Sequence, residues 1–279
     1  MNLKTLLGAA WLLSNLALAG PQKPVTPVPT DAQCQALGPL RAPLTFGPAE
    51  TLEFDVDALG AKAATMVMRV LPPRADGRWA IEVNVETNTF FSKVRSVQAT
   101  ATSFVDPKTL RPARYLEDAT ENGLRRVAEV SFKNRLAQVT STVATRSEHY
   151  ELPYGNDVSD VAGAVFLLRA LPLKEGQRLC FDVYGVRRMW RVWGTVQPKE
   201  HVSLPLGEFT ALHLAGEAAR LDLPQARREV HVWVSDDAKR LPLAALGMID
   251  LGAVRATLKA TSRPGEKAAR AENKANLTW

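Results

Sequence analysis

The sequence predicts a mainly β fold: a curved antiparallel sheet or partly open β-barrel with one covering α-helix. Three observations carry that expectation. Apolar side chains recur at alternate positions over most of the chain, turn residues interrupt them at short intervals, and the long crossover helices that parallel pairing demands are missing.

Leu52, Phe54 and Val56 share one face of the first strand, with Glu53, Asp55 and Asp57 on the other. Ala64, Met66, Met68 and Val70 alternate with Thr65, Val67 and Arg69 in the second. Asp76-Gly77 turns the chain into a third, where Trp79, Ile81, Val83 and Val85 alternate with Glu82, Asn84 and Glu86. Strands with one dry and one wet face belong to antiparallel sheets. Residues 97–105 continue the series as far as the Asp106-Pro107 turn. Segments 114–116 and 124–132 flank Glu121-Asn122-Gly123, a hairpin loop in which Gly supplies positive φ. Residues 136–143 follow, and later strands are expected at 177–184, 188–197, 210–217, 229–234 and 251–260. Gly185 and Gly207 read as turn residues.

One segment breaks the pattern. Asp157 is expected to cap a helix running to about Leu168, with Asp160 in its acidic first turn. Val161, Val165 and Leu168 form an apolar stripe that Ala164 and Phe166 widen, Gly163 weakens the helix, and Pro172 ends it. The helix is expected to cover the open face or mouth of the sheet. Phe166 and Leu168 then either line an apolar cavity beneath it or pack as ordinary core. Arg169 offsets the helix dipole, with ligand contact as its other reading.

The chain opens on an address. Lys4 precedes an apolar stretch, and Ala17-Leu18-Ala19 offers small side chains to a signal peptidase. Residues 1–19 read as a signal peptide, cut after Ala19, with no following Cys for lipid attachment. Residues 20–45 read as a Pro-rich lead and tether, 46–261 as a single β domain, and 262–279 as a basic tail expected to be disordered. Cys34 and Cys180 form an even pair that invites a disulfide in an oxidising compartment; a buried Cys180 with a free Cys34 is the alternative. Closing so long a loop is worth about 4–5 kcal/mol in the chain-entropy model.

Charge and motifs narrow the function. The net charge of +6 favours anionic partners such as envelope lipid or acidic glycan. No nucleic-acid reader motif and no second apolar run of spanning length is present, so neither nucleic acid nor a transmembrane anchor is expected. His149, His201, His213 and His231 lack metal-ligand spacing, and GxSxG and Gly-rich phosphate loops are absent. No catalytic, cofactor or metal residue is therefore assigned. Asp236-Asp237 reads as a charged turn. Trp190 and Trp193 point to opposite faces of one strand, and Arg187, Arg188 and Arg191 set a basic-aromatic surface beside them. Phe166, Arg169, Trp190 and Trp193 are the candidate ligand contacts.

The order of motifs resembles the bacterial exported family of unknown function DUF3108. The resemblance is carried by GPAETLEFDVDALGAKAATMVMRV from Gly47, SFVDPKTLRPARY from Ser103, and DVSDVAGAVFLLRALPLKEGQ from Asp157. LPLGEFTALHL from Leu204 and VWVSDDAKRLPL from Val232 complete it. It implies a β-rich domain of the periplasm or exterior, with no established catalytic set. The curved sheet with a covering helix is also similar to half-barrel carriers of lipoproteins and lipids. The expected function is an exported, non-enzymatic binding or assembly protein of the cell envelope, holding an apolar or amphipathic ligand or docking an envelope lipid, glycan or protein. An envelope hydrolase acting on glycan or lipid is the alternative.

Overall fold

Alternation becomes pairing in the computed structural model, which describes residues 27–249, 252–265 and 268–270; the expected signal peptide lies outside them. Eight strands run as a meander: β1 (Thr51–Ala58), β2 (Ala61–Val70), β3 (Trp79–Thr87), β4 (Val97–Val105), β5 (Pro112–Glu121), β6 (Leu124–Lys133), β7 (Leu136–Val143) and β8 (Arg146–Pro153). Each pairs antiparallel with the next. Then come β9 (Val158–Asp160), helix α1 (Val161–Ala170), β10 (Arg178–Gly185), β11 (Arg188–Val196), β12 (Glu200–Leu204) and β13 (Gly207–Arg220). The chain closes with β14 (Arg227–Ser235), β15 (Pro242–Ile249), β16 (Gly252–Ser262) and β17 (Ala269–Arg270).

β16 joins the free edge of β1, and the ribbon continues through β15, β14, β13 and β11 to β10. β9 lies parallel to β10 and ends the sheet. The result is a curved, incompletely closed antiparallel sheet. Register shifts at Glu53/Phe54, Val56/Asp57, Phe104/Val105 and Trp233/Val234 bend the strands where an extra residue enters one side. At the seam, the Tyr150 hydroxyl of β8 donates to the Arg187 carbonyl at 3.3 Å.

The concave side is filled. α1 packs on β3, β4, β9 and β10, and Phe166 and Leu168 join Leu52, Met68, Ile81 and Leu258 in one core. The helix starts later than expected. Val158–Asp160 is extended because it pairs with Asp182–Tyr184, so Asp160 rather than Asp157 is the cap. Its Oδ1 accepts from the amides of Ala162 (3.0 Å) and Gly163 (2.8 Å). Leu171, extended before Pro172, ends the helix as the sequence implies.

The register sorts the turns into two ends. The 59–60, 88–96, 122–123, 144–145, 186–187 and 221–226 connections lie together at what we call the hairpin end. The lead, the 106–111 and 236–241 turns and the C-terminus of α1 lie at the opposite, lead end. Asn122 and Gly123 both take positive φ, the conformation a tight hairpin needs. Gly185 corrects the expectation: Val186 and Arg187 take the positive φ angles, while Gly185 is required because a Cβ there would meet Val161 at 2.4 Å. Of the expected tail, residues 266–267 and 271–279 lie outside the described residues. Ala269 and Arg270 pair with β16, and Arg263 reaches Glu50 at 2.7 Å.

Candidate functional site

From residue 27 onward the lead is fastened to the sheet. A disulfide joins Cys34 to Cys180 in β10, with Cα atoms 5.1 Å apart. Upstream, Arg191 of β11 donates to the Pro29 carbonyl (2.8 Å) and Asp31 (2.5 Å) while holding Asp182 at 2.9 Å. Downstream, the Leu37 amide donates to Asp157 Oδ2 at 2.7 Å and the Arg41 amide to the Ala170 carbonyl at 2.8 Å. Leu37, Leu40 and Leu44 pack against the core from outside.

Between this lead and the 106–111 turn lies a cleft of about 600 Å³. Leu37, Leu40, Leu44, Leu110, Val158 and Leu167 supply its apolar walls, and Arg41, Lys108, Arg111 and Asp157 its charges. Asp106 folds the turn by accepting from the amides of Lys108 (2.7 Å) and Thr109 (3.1 Å), and Leu110 is buried beneath it. Arg111 donates to Asp157 Oδ1 at 2.5 Å, so that carboxylate ties the turn to the lead.

Two cations at this end keep unmatched donors. One terminal nitrogen of Arg41 is buried with no hydrogen-bond partner. Arg240, only 9 % exposed, keeps its Nε and one terminal nitrogen without hydrogen bonds, the latter 3.4 Å from Asp236. Burial first, and then the nearby Arg41 charge, push the Arg240 guanidinium below its ordinary range. Buried guanidinium donors left open are costly, so Arg41 and Arg240 leave this end under-compensated in negative charge.

The four sequence candidates do not gather. Phe166 and Arg169 adjoin inside the core, both at 0 % exposure. Arg169 grips Glu50 through both terminal nitrogens (2.6 and 2.9 Å) and donates its Nε to the Arg240 carbonyl (2.7 Å). Trp190 donates to the Gly185 carbonyl at 3.2 Å, and the Arg227 guanidinium stands 5.5 Å from the Trp193 ring. β10 register sets Trp190 opposite Val183 and Trp193 opposite Cys180, on opposite faces as expected. The expected basic-aromatic surface loses Arg191, which is buried in ion pairs with Asp182 and Asp31.

Other polar groups also have assigned work. Asp237 accepts from Ser235 Oγ and the amides of Lys239 and Arg240, shaping the expected charged turn. His213 Nε2 and His231 Nδ1 share a hydrogen bond at 2.9 Å, and His213 stacks on Trp233 with centroids 4.3 Å apart. Among the described residues, no three His, Cys, Asp or Glu side chains gather to hold a metal, and no helix is long and apolar enough to cross a membrane.

Sequence reading missed the cleft residues because three distant segments build it. The one local signal was Leu37, Leu40 and Leu44 around Arg41, too apolar for a solvated tether.

The family described as "Protein of unknown function (DUF3108)" matches residues 53–259. No curated protein matches the chain. A β-barrel-like protein of the domain of unknown function DUF1849 from Brucella abortus is similar in fold at 10% identity and TM-score 0.52, covering 77% of this chain and 98% of that one. A Bacteroides fragilis protein described as exported, with a YmcC-like fold, aligns at 11% identity and TM-score 0.32, covering 78% and 99%. A Parabacteroides distasonis protein described as a lipoprotein aligns at 8% identity and TM-score 0.34, covering 82% and 100%.

Proposed function

The chain belongs to the DUF3108 family, and from that premise we propose that it is an exported, non-enzymatic binding protein of the bacterial cell envelope whose cleft holds an acidic amphiphile. Export is supported by the leader-like residues 1–19 and by the Cys34–Cys180 bond, since disulfides persist in oxidising compartments. The ligand class follows from the cleft. Leucine walls suit an acyl or similar apolar body, and Arg41, Lys108 and Arg111 suit a carboxylate or phosphate head.

The observation that carries the reading is one cleft in which leucine walls stand beside three cations, Arg41, Lys108 and Arg111. Native mass spectrometry of protein isolated from its own envelope tests it. The expected result is a retained acidic amphiphile, bound about tenfold more weakly after Arg41→Gln, the worth of one charge-assisted hydrogen bond. Repeated recovery of empty chain that also takes up no fluorescent fatty-acid probe would overturn the proposal.

A further inference from the structure

We propose that the hairpin end is a docking surface for an anionic lipid bilayer. Eight large apolar side chains stand exposed among the described residues, and all but Val127 lie at this end. Leu59 tips the β1–β2 turn, Phe90 and Val94 the 88–96 loop, and Leu124 the β5–β6 hairpin. Val186 tips the β10–β11 turn and Met248 the end of β15, while Val161 starts α1 beside Gly185. What sets them apart from ordinary scattered surface residues is that seven of the eight gather at one end of the sheet.

Their exposure is built. The 88–96 loop is fastened by Asn88, which accepts from the Phe91 amide at 2.7 Å and donates to the Lys62 carbonyl at 2.5 Å. Phe91 is buried against Ala58 and Ala63, yet its neighbour Phe90 is 71 % exposed. Val186 is 72 % exposed and holds φ at +50°, a conformation that a β-branched residue resists and Asn or Gly would take freely. Local folding does not call for valine there.

Charge selects the occupant. Lys93, Arg95, Arg146, Arg187 and Arg188 stand among the apolar tips. Glu121 meets Arg95 and Arg126, Asp222 meets Arg188 and Arg220, and Glu148 meets Arg146, so these three carboxylates are matched or outnumbered by cations, while Asp57, Glu86 and Glu229 lie at the same end. Neighbouring hairpins sit two strands, about 10 Å, apart. Apolar tips so spaced cannot form the contiguous packed centre of a protein interface, whereas each can enter a fluid lipid surface separately, with basic side chains at the headgroups.

Flotation of the disulfide-intact chain with phosphatidylcholine vesicles, with and without phosphatidylglycerol, tests this. Binding is expected only to the anionic vesicles, weakening with salt. F90S/V186S is expected to bind at least about tenfold more weakly while keeping the parent's urea midpoint, and V127S to bind as the parent does. Lys93→Glu with Arg146→Glu is expected to lose the preference for phosphatidylglycerol. Absence of vesicle binding, equal binding to neutral vesicles, or parent-like binding by F90S/V186S would each overturn the proposal. So would a parent dimer, seen by sedimentation, that F90S/V186S dissolves without any vesicle binding. Arg41→Gln leaves the hairpin end intact, so failure of the cleft reading would leave this result standing.

Discussion

Both ends of the curled sheet are rich in arginine, yet they place it differently. At the lead end the guanidiniums go inside: Arg169, Arg191 and Arg263 are buried or nearly so, and each meets a carboxylate from a distant part of the chain. Glu50 and Arg169 are 119 residues apart, and Asp31 and Arg191 are 160 apart. At the hairpin end the pairs are more exposed and join nearer segments, such as Arg125 with Asp118, Arg146 with Glu148 and Arg188 with Asp222. One end uses charge to fasten the lead and tail to the sheet. The other leaves charge and apolar tips facing outward.

The contrast predicts unequal costs. Glu50 neutralises Arg169 and Arg263 at once, and its removal strands a fully buried cation. Glu50→Gln should cost about 3–5 kcal/mol, as breaking a buried pair does. Glu121 likewise faces two arginines, Arg95 and Arg126, but in partly exposed positions. Glu121→Gln should cost at most about 1 kcal/mol. Urea denaturation of both variants measures the difference, and equal midpoints would break the comparison.

The disulfide comes next. It closes a 146-residue separation between lead and β10 and is the one covalent cross-link among the described residues. Cys34→Ser with Cys180→Ser should lower stability by about 2–4 kcal/mol, mainly by freeing the unfolded chain. Limited proteolysis should then cut within 31–44 before any hairpin turn. Cleavage starting at the 88–96 loop instead would show that the lead is held by its ion pairs and packing alone.

Much of this fold was legible because period-two alternation reports directly on a half-buried strand. β1 to β3, the Asn122-Gly123 hairpin and the Cys34–Cys180 pairing follow from local or compositional signals. β8 and β15 escaped because their faces do not differ: Arg146–Pro153 is largely exposed, and Pro242–Ile249 begins as an unbroken apolar run. The candidate site was less legible still. Arginine is ordinarily a surface residue, so Arg169 and Arg191 read as available when partners far along the chain had already enclosed them. The cleft needs the lead, the 106–111 turn and α1 together, and no window of sequence contains all three.

The two ends of α1 repeat the contrast on a smaller scale and give the mildest test. At its C-terminal end Arg169 is paired with Glu50; at its N-terminal end Asp160 is equally buried but bonded to Ser103 Oγ and the helix's own first amides. Burial pushes the Asp160 carboxyl up to about 6, against the lowering effect of those hydrogen bonds. The folded state therefore keeps a proton that the unfolded chain releases near pH 4. Stability from this group is complete below the unfolded value and is lost as pH rises through about 6. Asp160→Asn retains a capping oxygen and cannot ionise. Relative to that variant, the parent should lose no more than about 3 kcal/mol between about pH 4 and pH 7, read from urea midpoints at each pH. A pH-independent difference would mean that Ser103 and the helix amides hold the carboxylate charged throughout, making the N-terminal end of α1 as well compensated as the Arg169 end.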